Sequence, residues 1–205
     1  MSKKLPTFEE VVHFHGHSCP GLAFGYQAAR CALEHLSADR SADEEIVAIV
    51  ENDACGVDAI QVMTGCTLGK GNLIYRDLGK HAWSFIKRDK SDAIRIVTKP
   101  EENMGQDPMF KTLREKVFSG NATAEEEERF HHQMDKQTQD LLSKKPCDIF
   151  IVQKITPDIP EKARIFATVP CSKCGEMVAE HRVRLMDGKL VCLTCNSEYG
   201  RGWDT

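Results

Sequence analysis

Apolar positions along this chain recur at two spacings, one helical and one strand-like. Leu22, Tyr26, Ala29, Leu33 and Leu36 keep a 3.6-residue period and predict a helix from Pro20 to about Leu36. Gly21, Ala23, Gly25, Ala28 and Ala32 leave the rest of that helix small. It is therefore expected to press closely against a neighbouring element, despite the propensity cost of the glycines. Upstream, Thr7 and Glu10 are spaced for a capping box on a short helix through His13, with Phe8, Val11 and Val12 on its apolar side. The uninterrupted run Glu45–Glu51 reads as a buried strand, and it turns at Asn52–Gly56 into a short helix ending near Gly65. The runs Leu73–Leu78, His81–Lys87 and Ala93–Thr98 are separated by Gly79-Lys80 and by Asp89–Asp92, which predicts an antiparallel meander.

Asp107-Pro108 opens another helix, with Phe110, Leu113 and Val117 inward and Ser119-Gly120 as its stop. Thr123 and Glu126 form a second capping-box pattern, on a mostly polar helix to about Ser143 that can bury Phe130, Met134, Leu141 and Leu142. The glutamates at 125–128 suit a solvated first turn, and the adjacent His131 and His132 point in different directions, as surface residues do. Cys147–Gln153 is a last strand or short buried helix. The prolines of Thr156–Pro160 mark a boundary between a core at 1–160 and a tail domain at 161–205.

The tail carries the most specific pattern. Cys171-x-x-Cys174 and Cys192-x-x-Cys195 enclose seventeen residues, the spacing of a four-cysteine zinc site. Between them Asp187-Gly188 is a two-residue hairpin signal. Four thiolates complete zinc's tetrahedral shell, so this ion is expected to be structural and to supply folding energy. His181 is left over, as a surface residue.

Composition changes the picture only in part. The 205 residues can bury a sizeable core, and 41% hydrophobic with 28% charged residues is ordinary for a globular protein. A net charge of −4 gives no electrostatic case for nucleic acid or an anionic membrane as the main partner. No apolar window approaches the roughly eighteen residues of a spanning helix, and no apolar leader precedes Phe8. Nine cysteines without an export signal are expected to be reduced, in a cytoplasmic protein, as metal ligands and reactive thiols.

The chemistry concentrates at His13-Phe-His-Gly-His-Ser-Cys-Pro-Gly21, with three imidazoles and a thiol ahead of a helix-opening proline. Positions 13, 15 and 17 would share one face if the segment were extended. His15, His17 and Cys19 then reach the positive end of the helix, where a thiolate is expected to have a lowered pKa. That cluster points to a metal or a reactive-thiol site. Cys55 sits at a strand-to-helix turn between Asp53 and Asp58, where chemistry and plain capping by Asn52 or Asp53 are equal alternatives. Gly65–Asn72 falls short of a phosphate loop, since Gly71 stands where a magnesium-binding hydroxyl belongs; an anion cradle and a plain glycine turn both remain.

Taken together, Phe14-His-Gly-His-Ser-Cys-Pro-Gly21, Gly25, Cys55-Gly-Val-Asp-Ala-Ile-Gln61, Thr64-Gly65 and Gly69-Lys-Gly-Asn72 resemble the FmdE-like family, named for a component of formylmethanofuran dehydrogenase. The resemblance implies an α+β core with a mixed or antiparallel sheet packed with helices, an auxiliary treble-clef zinc finger, and a homodimer. It also implies association with a molybdenum or tungsten oxidoreductase.

Three functions follow. In the first, His15, His17, Cys19 and Cys55 hold a second transition ion (zinc, nickel or iron). Cys55, His17, Cys19 and Asp58 are then the catalytic candidates, and Gln61, Lys70 and Asn72 the candidates for holding a small-molecule substrate. A thiolate beside an imidazole is alternatively a nucleophile. In the second, the chain is an accessory of the oxidoreductase, docking to it or delivering metal or sulfur. In the third, Lys173, Arg182, Arg184, Lys189 and Arg201, with Tyr199 and Trp203, bind nucleic acid, against the acidic balance of the chain.

Overall fold

The structure, a computed structural model, describes residues 5–89, 92–102 and 108–197. It divides into two compact units, Met1–Lys162 and Ala163–Thr205, just past the predicted Thr156–Pro160 punctuation.

The first unit is α+β. Helix α1 (Phe8–His15) starts with the predicted capping box, in which Thr7 accepts the Glu10 N–H and Glu10 accepts the Thr7 N–H. It runs past His13 to His15 and stops at Gly16, whose φ of 98° is the left-handed conformation that glycine adopts freely. Residues 13–15 are thus helical, so the shared face of an extended 13–17 segment does not form, and His13 is exposed. Helix α2 (Pro20–His35) follows, then strand β1 (Ile46–Val50), helix α3 (Gly56–Thr64) and strands β2 (Leu73–Tyr75), β3 (Ala82–Lys87) and β4 (Asp92–Thr98). The unit closes with α4 (Pro108–Phe118), α5 (Ala124–Ser143), α6 (Pro146–Ile149) and β5 (Phe150–Lys154).

The sheet order is β2-β1-β3-β4-β5. β1 pairs with β2 in parallel and with β3 antiparallel, so the predicted meander is corrected to a single hairpin, β3–β4. The cause lies in the chain after β2: Lys80 N–H donates to Glu51 O and Glu51 N–H to Ala82 O, which carries residues 76–81 across the end of β1. Lys90 and Ser91, in the Asp89–Asp92 turn, lie outside the described residues, as does Asp107 at the expected start of α4.

Alternation along each strand divides the core. Ile46, Ala48, Val50, Trp83, Phe85, Ile94, Ile96 and Phe150 face the helices, where Leu22, Ala29, Ile60 and Met63 pack on them. Val47, Ile49, Ile86 and Ala93 form a smaller cluster on the other face, joined by Ile74 and Ile155. Arg88 holds the strap beyond Ile155 by donating to Pro160 O and Glu44 O. With both faces covered, β1 is buried at every position, as its uninterrupted apolar run predicts.

The second unit has two small antiparallel pairs, β6 (Thr168–Pro170) with β7 (Met177–Ala179), and β8 (Arg184–Met186) with β9 (Lys189–Val191). Asp187 and Gly188, at φ 49° and 75°, form the predicted two-residue turn.

Candidate metal centre

Three helix ends build the site. α1 ends at His15, and the irregular residues 16–19 bring His17 and then Cys19 to the start of α2. Cys19 is the N-cap of α2, its sulfur accepting the Leu22 N–H at 3.3 Å. Cys55 is the N-cap of α3 and leaves its own sulfur out of capping. The two N-termini meet because α2 and α3 approach at glycines: a Cβ on Gly25 would lie 2.1 Å from Gly56 O. A Cβ on Gly21 would lie 3.9 Å from both the Cys19 and the Cys55 sulfur.

The result is a compact donor set. One donor atom each from His15, His17, Cys19 and Cys55 lies within 4.8 Å of the other three. A tetrahedral zinc with nitrogen and sulfur ligands needs donor separations of about 3.6 Å, so a small contraction closes this set around an ion. His15 is the best-anchored member. Its Nδ1 donates to Asp58 Oδ2 at 2.7 Å, and Gln61 donates to the other Asp58 oxygen at 3.2 Å. With Nδ1 engaged, Nε2 is the nitrogen left to ligate, and it is buried without a hydrogen-bond partner. A carboxylate behind an imidazole is the usual outer shell of a metal-bound histidine.

Burial, not the helix end, controls Cys19. The thiol is pushed up to about 11 by desolvation, against the Leu22 N–H that lowers it, which corrects the lowered pKa expected from the helix position. A bound cation reverses that balance, because a coordinating thiol is deprotonated outright.

The other candidates are placed differently. Gln61 and Asp58 orient His15. Lys70 Nζ donates to Asp43 O at 3.1 Å, and the buried Asn72 donates to Asp43 O and Ile46 O while accepting the Thr67 N–H. Both tie down the 42–46 connection and are not drawn into the His/Cys group. Asn52 accepts the Ala54 N–H and donates to Lys80 O, a turn bond rather than a cap on α3. Asp53, His131 and His132 are exposed. A cavity edged by His81 and Phe24 meets the site at Gly21, and no pattern of sequence neighbours announces it.

In the second unit, Cys171, Cys174, Cys192 and Cys195 form the other donor group within 4.8 Å. The Cys171 sulfur accepts N–H groups from Lys173 and Cys192, and such donors bring its pKa down to about 6. The Cys192 sulfur accepts the Cys195 N–H. His181 is exposed and stacks on Phe166, with ring centroids 3.8 Å apart. Tyr199, Arg201 and Trp203 lie outside the described residues, so the stacking expected of them and the treble-clef geometry beyond the second knuckle do too.

Known proteins carry the same two parts. Residues 14–151 match the family described as FmdE, Molybdenum formylmethanofuran dehydrogenase operon. The chain belongs to the FmdE family. Residues 164–199 match the prokaryotic dksA/traR C4-type zinc finger. A curated relative from Archaeoglobus fulgidus, named probable S-adenosyl-L-methionine-binding protein, is 34% identical over 211 residues. The alignment takes in 98% of this FmdE-family chain but only 56% of the relative's length. A crystal structure of a tungsten formylmethanofuran dehydrogenase FmdE-like protein from Syntrophus aciditrophicus shares the fold, with a TM-score of 0.61, 21% identity, and coverage of 95% of this chain and 96% of that one. No helix among the described residues is long and apolar enough to cross a membrane.

Proposed function

We propose that this FmdE-family protein holds a resident transition ion in its core through His15, His17, Cys19 and Cys55, separate from the zinc of its finger. We further propose that it serves as an accessory of a molybdenum or tungsten formylmethanofuran dehydrogenase-type oxidoreductase. The observation that carries the metal reading is His15. An imidazole nitrogen buried without a partner costs about 1–3 kcal/mol, and His15 has one while a donor atom of its ring lies within 4.8 Å of three further donors and Asp58 holds Nδ1.

Two imidazoles and two thiolates suit zinc, nickel or iron far better than magnesium or calcium. Such an ion supplies Lewis-acid polarisation, or a thiolate-bound redox centre. Cys19 is buried and Cys55 half-buried, which favours an ion held in place over one handed on by exposed thiols. The accessory role is supported by the family's description and by the fold shared with another FmdE-like protein.

A second reading, a metal-dependent enzyme acting on a small molecule, is favoured by one observation. His17 is the exposed donor, so a substrate would gain the ion by displacing it or by adding a fifth ligand.

Elemental analysis of the full chain tests the metal reading, with two ions expected per chain and one in His17→Ala/Cys55→Ala that keeps its circular dichroism. A wild type with only the finger's ion, or a folded double variant with both, overturns it. The accessory role is tested by tagging the protein at native expression in its own cells; an eluate without molybdenum or tungsten removes it.

A further inference from the structure

A cavity of about 610 Å³ in the first unit is not used by the metal centre. Its size suits a small organic ligand. One wall is aromatic and flat: Phe110 and Phe130 stack with centroids 5.5 Å apart and planes 8° from parallel, and Phe118 abuts Phe130 edge-on at 5.9 Å. On another side Phe24 meets His81 edge-on at 6.2 Å. Phe118 is 76% exposed, which leaves its ring open to a ligand in the cavity.

The polar side chains that line it are few: His81, Thr98, Lys99, Glu102 and Arg114. Thr98 lines the cavity from β4, with its Oγ1 sealed within the protein. Arg114 lines the cavity with no ion-pair partner among the described residues. Glu102 is already paired with Lys144 at 2.6 Å, and the Lys99 ammonium, which donates to Cys147 O at 2.8 Å, adds a second positive charge. The free charge of the cavity is therefore positive. Gly21 also lines the cavity, and a Cβ there would lie 3.9 Å from both the Cys19 and the Cys55 sulfur.

We infer that this cavity binds a flat aromatic ring system carrying one anionic group, with the ring against Phe110, Phe118 and Phe130 and the anion paired with Arg114. A ligand filling the cavity to Gly21 presents its far edge to the core ion. That last orientation rests on the metal centre proposed above, whereas the cavity and its ligand class do not.

Isothermal titration of the full chain with naphthoate, and with its neutral analogue naphthamide, tests the inference. Naphthoate is expected to bind one per chain, about tenfold more tightly than the amide. Arg114→Gln should weaken naphthoate about tenfold and leave naphthamide unchanged. Phe118→Ala should weaken both, and since both side chains are exposed the fold survives either change. Absence of naphthoate binding at millimolar concentration overturns the inference, as does binding indifferent to both substitutions. His17→Ala/Cys55→Ala separates the two proposals: naphthoate binding persists there if the cavity stands alone. A wild type that binds naphthoate yet holds no core ion keeps the cavity and removes only the orientation toward the metal.

Discussion

Gly56 O occupies the place where a side chain on Gly25 would begin, 2.1 Å from an ideal Cβ. This contact sets how closely α2 and α3 approach, and Cys19 and Cys55 sit at the starts of those two helices. Gly25→Ala must therefore push the helices apart, at a cost of about 3 kcal/mol or more in stability, at the upper end for overpacking. It should also separate the donors. The expected outcome is a lower Tm together with loss of the core ion and retention of the finger's zinc, read by elemental analysis. A folded Gly25→Ala protein with full core metal would disprove the coupling.

Glu51 and Arg95 make a two-pronged ion pair at the far end of β1, with both N–O distances 2.7 Å. The Arg95 guanidinium holds the Glu51 carboxyl below its ordinary range, against the burial that raises it. Arg95→Met strands that carboxylate and should cost about 2–3 kcal/mol at pH 7. Because the folded pKa is depressed, the pair's contribution is present above the ordinary carboxylate pKa and is lost as pH falls through the lower folded value. The stability gap between wild type and Arg95→Met, measured by urea unfolding, should narrow below about pH 4.5. A gap constant from pH 7 to pH 3 rules the pairing out as the cause.

His15 depends on Asp58 for its tautomer. Asp58→Asn keeps the shape but can offer the imidazole Nδ1 a donor in place of an acceptor. Core-metal affinity is expected to fall about 10–100-fold, the usual effect of losing such an outer carboxylate. Gln61→Leu, which removes only the brace on Asp58, should have a smaller effect in the same direction. Competition with a chromophoric chelator measures both; equal affinities for wild type and Asp58→Asn would show that His15 binds no ion.

Local chemistry was legible in the chain, and convergence was not. Thr7 with Glu10, Thr123 with Glu126, and Asp187-Gly188 each act within a few residues, so their capping boxes and turn follow from spacing alone. The paired knuckles at Cys171 and Cys192 are legible for the same reason. The apolar run of β1 showed that a strand exists but not its partners, and β1 lies between β2 and β3 instead of beside a simple meander. The helix read through His13 runs two residues further, to His15, before the left-handed Gly16 stops it. Lys70 and Asn72 looked like ligand-binding residues of a glycine-rich loop, yet they hydrogen-bond to carbonyls of the 42–46 connection. Phe24, His81, Arg114 and Phe130 come from four distant parts of the chain, and only the tertiary fold makes one cavity of them.

Cys19 ties binding of the core ion to proton release. Its thiol, at about 11 without a cation, is fully protonated at pH 7.5, whereas a metal-bound sulfur is a thiolate. Loading the core must therefore release the Cys19 proton to the buffer. With the finger kept zinc-loaded, calorimetric titration in two buffers of different protonation enthalpy should report at least one proton released per core ion. Cys19→Ser should lower that count by one and weaken binding. The same shift has a signature in metal-free protein. A folded-state pKa raised above the unfolded value of about 9 stabilises the fold below pH 9, and that contribution is lost as pH rises toward 11. The stability difference between metal-free wild type and Cys19→Ser should accordingly shrink over that interval. A proton count unchanged by Cys19→Ser would remove the cysteine from the ligand set and leave its burial as packing alone.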